Sequence, residues 1–203
     1  MAAARRHSND PAGKEESTTE LNLGRTNSKA QEAFFLCHAK YICYGGARGG
    51  GKSWAILHKA AGGALRYPGI RMLLIRRGLE ELDDALIGPL CRLVPPPVAT
   101  YNKSSRLLRF ANGSAIRFGN LTGYGAAVEG KYQGQSYDWL LIDEATNFTE
   151  AEFRGLCACV RGVNPFPKRV YLTCNPGGVG HNWVKRLFID RNFRRGEEPE
   201  EYQ

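Results

Sequence analysis

No stretch of this sequence approaches the ~20 consecutive apolar residues that a helix needs to cross a bilayer. Arg5 and Arg6 stand near the N-terminus, but no apolar run follows them of the kind that makes a secretory signal. Six cysteines (Cys37, Cys43, Cys91, Cys157, Cys159 and Cys174) include no C-x-x-C pair, which sets the common zinc spacings aside. They sit mostly inside apolar stretches and read as buried, reduced thiols of a cytosolic protein. Cys157 and Cys159 are two apart and would point to different faces of a helix. Acid is scarce in two informative places. Residues 101–118 carry Lys103, Arg106, Arg109 and Arg117 with no Asp or Glu. Beyond Asn175 no spaced acids suit a buried metal cluster, since Glu197, Glu198, Glu200 and Glu201 read as a solvated run.

What is present suits one domain with a tail. The chain has 203 residues, 42% of them hydrophobic and 24% charged, enough for a core. Net charge is +8. Residues 1–33 hold five basic and five acidic side chains, so the whole surplus lies in the part expected to fold. That favours a polyanionic partner. Residues 1–27 are polar and poor in large apolar side chains, which predicts a disordered tail.

The central motif is Tyr41-Ile42-Cys43-Tyr44-Gly45-Gly46-Ala47-Arg48-Gly49-Gly50-Gly51-Lys52-Ser53. Gly46 and Gly51-Lys52-Ser53 satisfy the G-x-x-x-x-G-K-[ST] pattern of a phosphate-binding loop. Glycines let successive backbone N–H groups turn toward an anion, and the following helix adds its positive N-terminal end. Lys52 then reaches the β- and γ-phosphates, and Ser53 offers a hydroxyl to Mg²⁺. An apolar run before the loop and a helical pattern after it supply the expected context.

The other elements follow in order. Ser28 and Gln31 have capping-box spacing and predict a short helix. Gln31 there is either an adenine reader or an exposed helix residue. Strands are expected at Tyr41–Tyr44 and Arg71–Ile75, with Arg76 and Arg77 at the second strand's end facing nucleotide, DNA or solvent. A helix is expected over Leu79–Val94, and a hairpin over Tyr101–Phe118 with its turn at Asn112-Gly113. The hairpin's cations make it DNA-facing, neighbour-facing or a charge-protected edge. Residues 119–134 read as a glycine-rich mobile loop, Thr149–Val160 as a helix, Trp183–Ile189 as a short amphipathic segment and 196–203 as a linker-like acidic end.

Trp139–Ile142 is an apolar strand ending in Asp143-Glu144. Two adjacent acids at a buried strand end repel unless a cation or proton intervenes. A phosphate-bound Mg²⁺ supplies that cation, with Asp143 in its shell and Glu144 polarising a water in line with the γ-phosphate. A later strand, Arg169–Cys174, ends in Thr173-Cys174-Asn175-Pro176. Thr173 and Asn175 are placed either to sense phosphate loss or simply to make a turn.

Taken in this order, the loop, Leu140-Leu141-Ile142-Asp143-Glu144-Ala145 and Thr173-Cys174-Asn175-Pro176 resemble the ATPase domain of tailed-bacteriophage terminase large subunits. The resemblance runs from about Ser28 to the C-terminus and takes in residues 112–118 and Asn175 to Trp183. It implies an α/β fold, a P-loop NTPase with a mostly parallel central sheet flanked by helices, of the additional-strand, catalytic-glutamate type. It implies ATP and Mg as cofactors and translocation of double-stranded DNA into a procapsid. Partners would be DNA, a portal protein, a small terminase subunit and further copies of the chain in a ring, all in the host cytoplasm. ATP would lie on Gln31, Gly46, Ala47, Arg48, Gly49, Gly50, Gly51, Lys52 and Ser53, and Mg on Ser53 and Asp143. Glu144 would be catalytic, Arg48 would stabilise the transferring phosphoryl group, and Thr173, Cys174 and Asn175 would couple hydrolysis to movement. An arginine from a neighbouring subunit is also implied, with Arg106, Arg109 and Arg117 as candidates. Full large subunits carry a nuclease domain, whose acids are not found in these residues, so no DNA cleavage is expected of them. A helicase-like ATPase and a non-hydrolysing scaffold module are the alternatives, with a small-molecule phosphotransferase behind them.

Overall fold

Seven strands form one sheet in the order β1-β7-β6-β2-β5-β4-β3 in the computed structural model, which describes residues 21–46, 48–121, 132 and 134–203. The strands are β1 (Tyr41–Gly45), β2 (Arg71–Arg76), β3 (Ala99–Asn102), β4 (Leu107–Phe110), β5 (Ala115–Asn120), β6 (Trp139–Ile142) and β7 (Arg169–Cys174). From β1 through β5 of that order every pairing is parallel, and β4 and β3 then add antiparallel strands at one edge. β1, which leads into the glycine-rich loop, is separated from β6, which ends in Asp143, by β7 alone. That intervening strand is the additional strand expected of the catalytic-glutamate class.

Both faces of the sheet are covered, as a parallel sheet requires. Side-chain alternation assigns each residue to a face. Met72, Leu74, Leu141 and Tyr171 pack with α1 (Lys29–Leu36), α2 (Lys52–Arg66), α3 (Glu80–Leu82) and α4 (Gly88–Leu93). Leu73, Ile75, Leu140 and Leu172 face α5 (Glu150–Cys157) and α6 (His181–Phe188), where the Phe153 and Trp183 rings stack at 4.4 Å. α1 starts at Ser28, whose hydroxyl accepts from the Gln31 N–H. α5 starts with a full capping box between Thr149 and Glu152. Among the described residues no helix is long and apolar enough to cross a membrane.

Several expectations shift. The helix expected over Leu79–Val94 contains a π-helical turn at Asp83–Ile87. The expected hairpin is a three-stranded antiparallel edge, because Ala99–Asn102 also pairs with β4. Gly119 and Asn120 belong to β5 rather than to a loop; residues 122–131 and 133 lie outside the described ones. The helix expected to reach Val160 ends at Cys157, and Val160 instead bridges to Tyr137.

The two chain ends differ most from expectation. Residues 1–20 of the expected tail lie outside the described residues, but Leu21 and Leu23 pack against the first core layer. Leu23 lies beside α2 at Gly62, so the pair leans on a core already built. At the other end, residues 196–203 are no free linker. Tyr202 is buried and stacks on Tyr41 at 4.6 Å, while the Gln203 backbone pairs with β1 through Tyr41 and Cys43. Glu197 is not solvated: Arg186 grips it in a fork at 2.8 and 3.0 Å, and Arg154 bonds it too. The outer edge of β1 needs a partner for its backbone groups, and this segment supplies one.

Candidate active site

The phosphate loop leaves β1 at Gly45 and returns into α2 at Lys52. Gly46, Gly49 and Gly51 have φ of 136°, 83° and 69°, angles that side chains resist, so glycine is required for this path. Lys52 donates to the Gly46 carbonyl at 3.0 Å, spanning the loop, and the Tyr44 hydroxyl donates to the Gly50 carbonyl at 2.7 Å. Arg48, Gly49, Gly50 and Ser53 are exposed; Ala47 lies outside the described residues.

Gln31 is placed under this loop. It is 1% exposed, accepts from the Asn27 N–H at 2.9 Å and donates to the Gly51 carbonyl at 3.4 Å. A Cβ on residue 51 would lie 2.3 Å from its amide nitrogen. The glutamine is therefore not an exposed helix residue, and it packs as a support beneath the loop.

β6 delivers Asp143, 2% exposed, to the same end of the sheet. The cation that meets the acid pair is Arg76, brought alongside because β2 neighbours β6. Its guanidinium reaches Asp143 at 3.0 Å, Glu144 at 2.9 Å and Glu81 at 2.9 Å. Arg77 pairs instead with Glu152 at 2.7 Å, tying β2 to the α5 capping box. Glu144 sits in the left-handed region at φ 55°, a conformation that costs a non-glycine residue on the order of 1 kcal/mol. Asn147 holds its carboxylate through a 3.0 Å bond. Burial pushes the Glu144 carboxyl above its usual range, opposed by Arg76 and aided by Asp143.

The Thr173 hydroxyl joins both acids. It donates to Asp143 and accepts from the Glu144 backbone N–H at 3.3 Å. Cys174 lies against β1, its sulfur 3.6 Å from that of Cys43. The Asn175 carbonyl accepts from the Thr146 hydroxyl at 3.0 Å, while its side-chain oxygen is buried without a hydrogen-bond partner among the described residues. Further along, the Gly180 N–H donates to Thr146 and the Trp183 indole to Phe148, each at 2.8 Å. The segments after β6 and β7 are thus stitched together behind the acids.

A family model for the phage terminase large subunit matches residues 38–202, nearly all of this fold. The chain belongs to that family. A search of curated proteins finds no match to this terminase chain. Among solved structures, it is similar to the large terminase of a thermophilic bacteriophage (TM-score 0.64, 16% identity, 82% of this chain and 43% of that one). It is also similar to the HK97 bacteriophage large terminase (TM-score 0.62, 10% identity, 83% of this chain and 38% of that one). The ATPase domain of the Thermus phage P74-26 large terminase gives a TM-score of 0.58 at 20% identity, covering 87% of this chain and 74% of that one. These identities support the shared fold. The terminase chain spans about two fifths of the length of the first two of these proteins.

Arg106, Arg109 and Arg117 lie on the opposite flank of the sheet from the loop. β5 and β4 stand fifth and sixth in an order that begins with β1. At about 4.8 Å per strand that places them roughly 19–24 Å from the phosphate loop, beyond arginine's reach. Arg106 bonds Asn120 at 3.3 Å and Arg117 bonds the Ser105 carbonyl at 3.1 Å, while Arg109 is exposed.

The acids at 143 and 144 announce the site in sequence; Arg76, Glu81 and Asn147 do not. The strand-end position of Arg76 left its partner open, and only the order of the strands assigns it.

Proposed function

We propose that this chain is the ATPase motor domain of a DNA-packaging terminase, hydrolysing Mg·ATP to move double-stranded DNA into a procapsid. The observation that carries the reading is the Asp143–Thr173–Glu144 network at the same end of the sheet as the phosphate loop, with Arg76 spanning the two carboxylates. The large terminase of the thermophilic bacteriophage, which shares the fold, has been solved with ATP-γ-S and with ADP.

The donor set suits magnesium. Arg76 offsets one of the three carboxylate charges that surround it, leaving negative charge in surplus. One hydroxyl and one carboxylate, completed by phosphate oxygens and water, is a usual magnesium environment. Ser53 and Asp143 would hold the ion, which neutralises charge on the β- and γ-phosphate oxygens. Lys52 and the N-terminus of α2 bind the phosphates, and Arg48, exposed on the loop, faces the transferring group. Gln31 keeps the loop in place and retains one amide N–H for a base. Glu144, its basicity raised by burial, orients the attacking water. Thr173 senses both acids, and Cys174 and Asn175 carry the change into the segment that leads to α6. Arg106, Arg109 and Arg117 are too far away to act within the chain; they suit a neighbouring copy's site in a ring or the DNA backbone. Portal and small-subunit contacts complete this reading.

Two variants test it. Lys52→Ala is expected to lose nucleotide binding. Glu144→Gln is expected to bind ATP as before while turnover falls by about 10²–10⁴-fold. Undiminished hydrolysis by Glu144→Gln overturns the catalytic assignment.

A further inference from the structure

Remote from the phosphate loop, a cavity of about 270 Å³ opens between α1, the second half of α2 and the starts of β6 and β7. Along α2 the cavity's lining begins at Lys59, roughly 10 Å from Lys52, and reaches Arg66, roughly 21 Å from it. The loop lies at the C-terminal ends of the strands, whereas Trp139 and Arg169, which line the cavity, open β6 and β7. The two sites are therefore separate.

Cations and rings converge there. Lys59, Arg66 and Arg169 line the cavity together with Tyr67, Trp139 and Tyr171, and among the described residues no carboxylate lines it. Among the described residues none of the three cations takes part in an ion pair. Lys59 donates to the Phe35 carbonyl at 2.7 Å, and its ammonium stands 5.1 Å from the centre of the Tyr171 ring. The Arg66 guanidinium lies 5.6 Å from the centre of the Tyr67 ring. Burial pushes Lys59 down to about 8, and the charges of Arg169 and Arg66 push the same way. Three like charges around one hollow repel, so an anion entering it relieves both the repulsion and the strain on the ammonium.

The chemistry of that anion can be narrowed. A phosphate monoester carries about −1.5 to −2 near pH 7, which three cations match better than they match a single carboxylate. Two guanidiniums provide forked N–H pairs for its oxygens. Trp139 and Tyr171 are buried, so the half-buried Tyr67 offers the stacking surface for a planar ring. We propose that this cavity binds the phosphate monoester of a nucleotide, with Arg66, Arg169 and Lys59 on the phosphate and the base against Tyr67. The nucleotide is either a free nucleoside monophosphate or the phosphorylated end of a nucleic-acid strand.

The test uses the full chain carrying Lys52→Ala, which weakens the phosphate loop, at constant ionic strength. Calorimetric titrations use thymidine 5′-monophosphate, thymidine, and a short DNA single strand with or without its 5′-phosphate. Saturable binding of the monophosphate but not of thymidine is expected, weakened at least tenfold when Arg66→Gln and Arg169→Gln are added. If only the phosphorylated strand binds, and the arginine pair governs it, the ligand is a strand end. A thermal melt checks folding, and Arg66→Gln alone, a change at an exposed residue, decides if the double change unfolds the chain. ATP hydrolysis with Lys52 restored should be unaffected by Arg66→Gln. Failure of both phosphorylated ligands to bind, or binding indifferent to the arginine changes, overturns the proposal.

Discussion

Arg76 and Glu144 meet at 2.9 Å across the ends of two neighbouring strands, and the same guanidinium holds Asp143 at 3.0 Å. The positive charge that two adjacent acids require is thus already built into the chain. Any magnesium that joins the site shares this charge balance with Arg76. The arginine ties Glu144 in one arrangement, so in the proposed mechanism this pair changes when Glu144 orients a water.

Removing the arginine should expose that balance. Arg76→Gln leaves Asp143 buried beside Glu144 with its ion pair broken, a change of a kind that costs about 3–5 kcal/mol. The melting temperature without nucleotide is expected to fall. Mg·ATP should then narrow the gap to wild type, because it restores positive charge to the carboxylates. Equal gaps with and without Mg·ATP would show that Arg76 acts only as a structural bolt.

Thr173→Val keeps the shape of the side chain and removes the hydroxyl that donates to Asp143 and accepts from the Glu144 N–H. Leaving a buried donor unsatisfied costs about 1–3 kcal/mol of stability. Turnover should drop by tenfold or more while ATP affinity changes little, since neither bond touches the phosphate loop. Steady-state kinetics set beside equilibrium nucleotide binding separate the two effects. A change confined to affinity would remove Thr173 from the proposed coupling role.

The C-terminal segment predicts a pH dependence of stability. The forked bond from Arg186, helped by the Arg194 backbone N–H and by Arg154, holds the Glu197 carboxyl at about 2. A carboxyl depressed on folding stabilises the native state above its unfolded value and loses that contribution as pH falls. The loss should therefore run from about 4.5 down to about 2. Melting temperature measured across this window should fall less steeply in Glu197→Gln than in wild type. Identical slopes would show that the segment is not held by this ion pair.

Much of the site was legible because local requirements are written locally. A loop that curls around phosphate needs glycine at Gly46, Gly49 and Gly51, and those positions have positive φ in the fold. A carboxylate at a strand end needs an apolar run before it, and Trp139–Ile142 is wholly buried. Gln31 was legible as a residue, but its contact beneath the loop was not. Its amide meets Gly51, twenty positions away, only because α1 folds back under the loop. Glu197 was misread because an acidic, proline-containing run normally stays in water; Arg186 and Arg154 reverse that by offsetting the burial of its charge.

By itself, then, the sequence determined the phosphate loop, the paired acids, the Thr173-Cys174-Asn175 strand end and their order, and with them the P-loop class. These depend on backbone freedom and side-chain type at fixed spacing. Tertiary structure alone decided which cation meets the acids, what covers the outer edge of β1 and where Lys59, Arg66 and Arg169 converge. Those outcomes depend on strand order, which sets β2 beside β6 and β7 beside β1. Compensation of a buried charge is a property of spatial neighbours, and spacing along the chain does not encode it.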